Sequence, residues 1–180
     1  SADMQSIMNL KIKYRESFRP FAPSVLEEDV SDYFELEEDS PYMLMVAQVK
    51  KQRQIPFDMK NYDTDHGRIN MLPSVNELRS YIPAVTHVDY SARVQTVNKN
   101  TNPQYYGIIR AFKELTGCSV IVNTSFNVRG EPIVCTPKDA YECFMRTQMD
   151  VLVLDSLILY KEEQPEFIES GSWREKYELD

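Results

Sequence analysis

Residues 102–127 read NPQYYGIIRAFKELTGCSVIVNTSFN, and this stretch decides the fold. Asn102 followed by Pro103 is typical of a helix N-cap with proline at the first helical position. Apolar side chains recur at helical spacing until Gly117, at Tyr105, Ile108, Ile109, Phe112 and Leu115. The apolar run Ser119–Val122 then predicts a buried strand. A capped helix that leads into a buried strand indicates an α/β domain.

Downstream of this stretch the sequence again predicts a helix among strands. Pro132–Cys135 predicts a strand, and Thr136-Pro137 opens a second helix with Ala140 and Phe144 facing inward. The apolar runs 151–154 and 157–160 are split by Asp155-Ser156, a pattern that suits a tight hairpin.

Upstream, Met43–Val49 predicts a strand, and Val25–Phe34 predicts a short amphipathic helix or turn. Ala84–Val88 and Ala92–Val97 predict short extended segments. Strands interleaved with helices predict an α/β fold with a mixed twisted sheet rather than a purely parallel one. Lys50–Tyr81 is polar and rich in turn residues, so we expect an insertion or mobile loop there, with a short helix around 75–81.

Composition excludes several classes of function. The chain has 180 residues, enough for one domain, and a formal net charge of −8, which opposes a nucleic-acid or anionic membrane surface. It contains no apolar run of the roughly 18 residues that a membrane span needs. Three cysteines without Cys-x-x-Cys spacing predict reduced thiols of a cytoplasmic protein. The chain begins with Ser1 and not Met, so we expect a piece of a longer protein.

A basic segment lies near the start of this acidic chain, with Lys11, Lys13, Arg15 and Arg19 within nine residues. On a strand, Lys11, Lys13 and Arg15 would share a face, whereas on a helix Arg15 and Arg19 would. Either arrangement gathers cations suited to phosphate, because arginine binds its oxygens in pairs and lysine supplies a point charge. The alternative is a solvated amphipathic stretch.

Two further groups of polar residues carry possible chemistry. Residues 123–127, NTSFN, directly follow a predicted strand, where open α/β sheets bind ligands; the alternative is a turn that satisfies its own backbone. In residues 86–95, Arg93 stands apart from other cations and either binds a ligand anion or pairs with Asp89. His87 is a candidate general base, but with only two histidines in the chain a histidine metal site is not expected.

No glycine-rich phosphate loop and no nucleophile elbow is present, so these residues alone name no reaction. The segments together resemble the C-terminal half of the NodU/CmcH-type O-carbamoyltransferases over about residues 7–161. The matching strings are KYRE (13–16), FRPFAP (18–23), THVD (86–89), AR (92–93), QTV (95–97), NTSFN (123–127), GEPIV (130–134) and TPKDA (136–140).

The resemblance implies an α/β, YrdC-like fold: a twisted mixed sheet with flanking helices and a concave nucleotide site. YrdC-like domains carry Lys-x-Arg and Ser-x-Asn signatures, which fall here on Lys13/Arg15 and Ser125/Asn127. We expect this domain to cover residues 1–162, including the polar loop at about 50–81, and an acidic tail to cover 163–180. We also expect one basic pocket to hold Lys13, Arg15, Arg93, Ser125 and Asn127 together.

The resemblance also implies a function. In such enzymes this half forms carbamoyl-adenylate from ATP, which brings Mg²⁺, and carbamoyl phosphate. An N-terminal half of the same polypeptide, which holds a metal, then transfers the carbamoyl group to a hydroxyl. The residues expected to be catalytic are Lys13, Arg15 and Arg93; those expected to bind substrate or nucleotide are Arg19, Asn123, Ser125 and Asn127; and no metal ligand is expected in this chain.

Two points qualify the expected function. The alternative is a non-catalytic nucleotide-binding or docking domain of a larger enzyme. In addition, Tyr90 stands where the family usually has glycine after Val-Asp. A glycine there would permit positive φ or a close backbone approach and a tyrosine would not, which bears on the geometry of the loop around Arg93.

Overall fold

A computed structural model describes residues 1, 3–56, 64–65, 68–69 and 77–168. The chain divides into two compact units. The first unit consists of Ser1–Gln5 and Pro20–Thr124, and the second consists of Ser6–Arg19 and Ser125–Asp180.

Helices and strands are both present along the described chain, as the sequence predicts for an α/β domain. In order they are α1 (Met4–Met8), a π-helix (Asn9–Lys13), β1 (Ala22–Leu26), α2 (Val30–Tyr33), β2 (Met45–Gln48), β3 (Thr64–Asp65), β4 (Arg68–Ile69), β5 (Ser91–Val97), α3 (Pro103–Thr116), β6 (Val120–Asn123), α4 (Pro137–Arg146), β7 (Val151–Leu154) and β8 (Leu157–Tyr160). Short 3-10 turns lie at Glu27–Asp29, Lys51–Arg53, Pro83–Val85 and Lys161–Glu163.

The first unit is built on a four-stranded sheet in the order β2-β5-β1-β6. β1 runs parallel to β5, whereas the β1–β6 and β2–β5 pairs are antiparallel. The predicted mixed sheet is therefore confirmed. Successive side chains of a strand point to opposite faces. Val25 and Val94 are fully buried on one face of the sheet, and Arg93 and Gln95 lie on the other.

Helix α3 packs on the face that carries Gln95, where Ile109 forms a core cluster with Leu26 and Val97. The predicted ends of this helix are confirmed. The Asn102 side chain accepts a hydrogen bond from the backbone N–H of Tyr105, and Gly117 adopts φ +76°. The helix packs on the sheet near Leu26 and Val97, and its Tyr105 reaches Ser24. Arg93, nearer the start of β5, is exposed.

In the second unit, α4 begins with a capping box. The Thr136 side chain accepts from the backbone N–H of Asp139, and the Asp139 carboxylate accepts from the backbone N–H of Thr136. The buried face of α4 comprises Ala140, Cys143 and Phe144. Strands β7 and β8 pair as an antiparallel hairpin around residues 155–156. The predicted second helix and hairpin are thus confirmed.

Several predicted elements are wrong. The basic segment forms α1 and a π-helix that ends at Lys13, and Arg15 and Arg19 lie beyond it in non-helical backbone, so neither the strand nor the helix arrangement holds. Pro132–Cys135 forms no strand, because Pro132 has no N–H and the N–H of Cys135 bonds to the Asp139 carboxylate at the start of α4. The predicted extended segment Ala84–Val88 starts instead as a 3-10 turn.

The predicted loop at 50–81 contains the short β3–β4 pair, and residues 77–81 are not helical. Residues 57–63, 66–67 and 70–76, with the start of the predicted 75–81 helix, lie outside the described residues. Most of the predicted acidic tail, residues 169–180, lies outside them as well. No helix among the described residues combines the length and apolar character that crossing a bilayer requires.

Candidate functional site

Lys13 is the centre of a polar cluster in the second unit. It ends the π-helix, and Tyr14 after it turns the chain with a left-handed backbone (φ 49°, ψ 50°). Lys13 is buried, with 5% of the residue exposed. Its Nζ lies 2.9 Å from Ser125 O, 3.2 Å from Ser125 Oγ, and 2.7 Å from both Asn127 O and Asn127 Oδ1. The structure thus brings together Lys13, Ser125 and Asn127.

The Ser-x-Asn loop is itself fixed by hydrogen bonds. Ser125 Oγ donates to Asn127 Oδ1 at 2.7 Å, and Asn127 Nδ2 donates to the carbonyl of Glu131 at 2.7 Å. An ammonium has three donors, so Lys13 shares its hydrogens among four oxygens of this loop. We call the set Lys13, Ser125 and Asn127 the lysine clamp.

The surroundings of the lysine clamp shift its ionisation. Burial, followed by the nearby cation of Arg15, lowers the pKa of Lys13 to about 8, while Cys143 and Glu131 act in the opposite direction. Burial, and then the negative charge of Glu131, raise the pKa of the Cys143 thiol to about 12. Cys143 is therefore a protonated, neutral core residue at physiological pH.

A buried ion pair lies next to the lysine clamp. Arg146 Nη1 lies 2.9 Å from Glu131 Oε1, and both side chains are largely buried. Arg146 Nη2 also lies 3.4 Å from Glu142, and the carbonyl of Arg146 accepts a hydrogen bond from the Tyr14 hydroxyl at 2.8 Å. Since the Glu131 carbonyl holds Asn127, this pair connects α4 to the clamp.

The other two predicted basic residues of the second unit, Arg15 and Arg19, differ in burial and in their partners. Arg15 is half-buried, and its Nε donates to Asn9 Oδ1 at 2.6 Å. Burial, followed by the cation of Arg19, lowers the pKa of Arg15. Arg19 is exposed and pairs with Glu16 at 3.3 Å. Arg15 is thus held in place by a fully buried side chain, whereas Arg19 is tied only to a surface carboxylate.

Arg93 lies in the first unit, on β5. It borders a cavity of about 250 Å³ that is also lined by Pro20, Phe21, Ala22, Val46, Val85, His87, Ser91 and Ala92. Arg93 is exposed and forms no ion pair or hydrogen bond with the residues that the structure describes. Its guanidinium is available to an anion that enters the cavity.

The alternative in which Asp89 pairs with Arg93 is wrong. The Asp89 carboxylate instead accepts from Ser91 Oγ at 2.6 Å, from the backbone N–H of Ser91 at 3.0 Å, and from His87 Nδ1 at 3.0 Å. The hydrogen bond from the Ser91 side chain is the main reason that the pKa of Asp89 falls to about 2. Asp89 therefore organises the turn beside Arg93 as a permanent anion.

The prediction that Tyr90 avoids positive φ is also wrong, because Tyr90 has φ +65°. Its backbone N–H donates to His87 O at 3.0 Å, its carbonyl accepts from the N–H of Val49 at 2.8 Å, and its hydroxyl donates to Ile55 O at 3.1 Å. These three contacts hold the residue in a conformation that is unfavourable for a tyrosine.

Asn123 closes β6 in the first unit and takes part in a network that sequence reasoning missed. Its Nδ2 donates to Gln95 Oε1 at 2.6 Å. Ser24 Oγ donates to the same Gln95 oxygen at 2.6 Å, and the Tyr105 hydroxyl donates to Ser24 Oγ at 2.9 Å. Only the position of Gln95 in a matched string hinted at a role, because pairing across strands cannot be read from spacing.

The seven predicted site residues are distributed over both units. Arg93 and Asn123 belong to the first, and Lys13, Arg15, Arg19, Ser125 and Asn127 belong to the second. The single pocket containing both sets stays a prediction. Within the described ranges, no group of three or more His, Cys, Asp and Glu side chains is arranged to hold a metal.

Comparison with known proteins gives the same result as the motifs. The family model described as Carbamoyltransferase C-terminus matches residues 1–161. The uncharacterized protein sll1178 of Synechocystis sp. is 58% identical over 98% of this chain and 28% of its own length. Nodulation protein NolO of Bradyrhizobium diazoefficiens is 39% identical over 89% of this chain and 25% of its own.

A third relative has a named activity. The 3'-hydroxymethylcephem-O-carbamoyltransferase of Amycolatopsis lactamdurans is 33% identical over 81% of this chain and 23% of its own length. This chain therefore spans about a quarter of the length of these relatives.

Proposed function

The chain belongs to the carbamoyltransferase C-terminal family, and from this premise we propose that it binds ATP and carbamoyl phosphate and joins them into carbamoyl-adenylate. An N-terminal half of the same polypeptide would then transfer the carbamoyl group to a hydroxyl acceptor. The proposal includes a YrdC-like fold over residues 1–162, an acidic tail over 163–180, and a cytoplasmic location.

The observation that carries the proposal is the lysine clamp. Lys13 belongs to the Lys-x-Arg string and Ser125 and Asn127 to the Ser-x-Asn string, and these strings lie more than 100 residues apart in the sequence. Their direct contact supports the view that they act as one site. Arg15 follows two residues after Lys13 and supplies a guanidinium suited to phosphate oxygens.

The proposed chemistry has two balanced steps. Water cleaves carbamoyl phosphate into carbamate and inorganic phosphate. A carbamate oxygen then attacks the α-phosphorus of ATP, a new P–O bond forms, and pyrophosphate leaves with the electrons of the broken P–O bond. Phosphoryl and nucleotidyl transfer of this kind depend on positioning and charge neutralisation more than on covalent help from the protein.

Six of the seven predicted residues have a role in these steps. Lys13, Arg15 and Arg93 would stabilise the charge on the triphosphate oxygens, and Mg²⁺ would enter bound to ATP. Arg19 would bind the same anions or carbamoyl phosphate. Ser125 and Asn127 would hydrogen-bond phosphate or carbamoyl atoms. Carbamate and carbamoyl-adenylate hydrolyse in water, so exclusion of solvent is part of the proposal.

A pyrophosphate-release assay tests this function. We expect the chain, given ATP and Mg²⁺, to release pyrophosphate only when carbamoyl phosphate is present, and to carbamoylate no acceptor alone. Arg93→Ala should strongly reduce the release, whereas Arg110→Ala, on the exposed surface of α3, should not. Release that ignores carbamoyl phosphate, or that survives Arg93→Ala unchanged, would contradict the proposal.

A second candidate function, a non-catalytic docking domain, is favoured by one observation. The apolar side chains of Ile108, Phe112 and Leu115 follow one another at helical spacing on α3, and all three are exposed, Leu115 at 86%. An apolar stripe of this kind on a soluble domain typically marks a protein contact. A chain that binds its N-terminal half but shows no ATP binding would favour this candidate.

A further inference from the structure

Hydrogen bonds fix the orientation of the Asn123 side-chain amide. They begin at the backbone carbonyl of Pro41 and pass through the Gln95 side chain. Gln95 Nε2 donates to the carbonyl of Pro41 at 3.1 Å. A backbone carbonyl only accepts hydrogen bonds, so the NH₂ end of the Gln95 amide must face Pro41. Oε1 of Gln95 therefore points the other way, toward Ser24 and Asn123.

The direction of Gln95 then determines that of Asn123. Gln95 Oε1 is an acceptor, so only the Nδ2 end of Asn123 can lie 2.6 Å from it. The same Nδ2 contacts Met43 Sδ at 3.7 Å. The carbonyl Oδ1 of Asn123 consequently points away from the network, and within the described chain it accepts no hydrogen bond. Ser24 and Tyr105 complete the network on its buried side.

The strand register places Asn123 on the same sheet face as Arg93. Asn123 pairs with Ala22 across β1 and β6. Ser24 pairs with Gln95 on the parallel neighbour β5, so two residues earlier Ala22 falls beside Arg93. Ala22 and Arg93 both line the 250 Å³ cavity. Because neighbouring strands lie about 4.8 Å apart, the Cα atoms of Arg93 and Asn123 are about 10 Å apart with the Ala22 methyl group between them.

This face of the sheet carries the guanidinium of Arg93 on β5 and the oriented Oδ1 of Asn123 on β6. The cavity is smaller than the roughly 300–1,000 Å³ of pockets for drug-sized ligands, which suits a small molecule. Arg93 and Ala22 line the cavity, whereas Asn123 lies beyond Ala22 and outside this lining. A ligand that places an anionic group at Arg93 and reaches past Ala22 needs an N–H donor to bond Asn123 Oδ1. Carbamoyl phosphate has this composition, with a phosphate and an amino group on a planar carbon.

We propose that Asn123 Oδ1 accepts a hydrogen bond from an amino group on a planar carbon of the ligand, the carbamoyl amino group in preference to the adenine amino group. Asn123 is then a specificity-determining residue, and Gln95 is the positioning residue that sets the direction of its amide. This inference rests on the proposed function, since it assigns one atom of the substrate named there.

The experiment compares ligands that differ only in the amino group. Acetyl phosphate replaces the carbamoyl NH₂ with a methyl group of similar size, and inosine triphosphate replaces the adenine amino group with an oxygen. Dissociation constants are measured by titration calorimetry, with ATP present and Mg²⁺ left out for the first pair so that no adenylate forms. We expect the wild-type chain to prefer carbamoyl phosphate over acetyl phosphate by about tenfold or more, because a site built for an N–H rejects the analogue that lacks it.

Two variants and a control separate the roles. Asn123→Ala should bring the ratio of the dissociation constants for acetyl phosphate and carbamoyl phosphate close to one. Asn100→Ala, in the exposed turn before α3, should leave this ratio unchanged. Gln95→Met leaves Asn123 in place but removes the acceptor that directs it, and should lower the preference in the same way. If Gln95 had only a structural role, Gln95→Met would instead weaken the binding of both acyl phosphates by the same factor.

The outcomes distinguish this inference from the proposed function. If wild-type chain binds carbamoyl phosphate without preferring it, or if the preference survives Asn123→Ala, the inference is wrong and the proposed function stands. If Asn123→Ala removes only the preference for ATP over inosine triphosphate, the amino group is that of adenine and the assignment to the carbamoyl group is wrong. If neither acyl phosphate binds, both the inference and the proposed function fail.

Discussion

Lys13 Nζ contacts both oxygens of Asn127, the backbone carbonyl and the side-chain Oδ1, at 2.7 Å each. Together with Ser125, these contacts occupy the whole hydrogen-bonding capacity of the ammonium. Lys13 therefore orders the loop that follows β6, and a phosphate oxygen could approach Nζ only by replacing one of these acceptors. Binding of an anion and rearrangement of the loop are thus coupled at this residue.

The lowered pKa of Lys13 predicts that ATP binding takes up a proton above about pH 8. Burial and the Arg15 cation lower the pKa to about 8, so the free chain holds Lys13 partly neutral there. A bound polyphosphate favours the charged form and raises this pKa. Affinity for ATP should consequently fall as the pH rises from 8 to 10. Calorimetric titration at pH 8.5 in two buffers of different ionisation enthalpy measures the uptake.

Lys13→Met serves as the test variant for this prediction, because it keeps the length of the side chain and removes the titrating group. Its ATP binding should be weaker and should take up no proton at pH 8.5. Equal proton uptake by the variant and the wild type would assign the titration to another residue.

Arg15→Ala should weaken ATP binding by about 1.5–3 kcal/mol, the value of a hydrogen bond to a charged group, and Lys11→Ala should have a smaller effect. Arg15 is half-buried and held by Asn9, whereas Lys11 is exposed and belongs to neither signature. Calorimetry of both variants gives the comparison. Equal losses would mean that the basic segment acts as a diffuse surface.

Local signals in the sequence predicted the elements whose ends are fixed locally. Helices α3 and α4 each start with a capping side chain followed by proline, and the contacts of Asn102 and Thr136 lie within three residues. The π-helix at 9–13 could not be predicted, since its pattern of apolar residues resembles that of a strand as much as that of a helix. The strand predicted at Pro132–Cys135 failed because the start of α4 takes up the N–H of Cys135.

The site was predictable only as far as the residue types allowed. The motifs placed Lys13 with Ser125 and Asn127, and these side chains are in contact. The network of Gln95 with Ser24 and Tyr105 depends on strand register and on the docking of α3, which spacing in the sequence does not encode. The positive φ of Tyr90 depends on hydrogen bonds to distant segments in the same way.

The strained backbone of Tyr90 predicts an unusual order of stabilities. Tyr90→Gly and Tyr90→Ala both remove the side chain and its hydrogen bond to Ile55, but only glycine adopts φ +65° without strain. The glycine variant should therefore be more stable than the alanine variant by about 1 kcal/mol, the cost of a left-handed residue. Urea unfolding of the two variants measures the difference.

Tyr90→Phe is the matched control, because it retains the ring and the strain and loses only the hydroxyl. Its free energy of unfolding should fall by about 0.5–1.5 kcal/mol. An alanine variant as stable as the glycine variant would show that the backbone at residue 90 is not strained.

We expect the exposed stripe of α3 to be the surface that contacts the proposed N-terminal half. Leu115 is 86% exposed, so Leu115→Glu should change the free energy of unfolding by no more than about 0.5 kcal/mol. In a protein contact, by contrast, a carboxylate buried against an apolar partner is costly, and affinity for a separately produced N-terminal half should fall at least tenfold. Gly107→Glu is the control, because it places the same charge on another side of α3 with nothing within 4 Å of the added Cβ. Equal binding by Leu115→Glu and the wild type would exclude the stripe from the contact, and concentration-dependent dimerisation that Leu115→Glu abolishes would assign the stripe to a second copy of the chain.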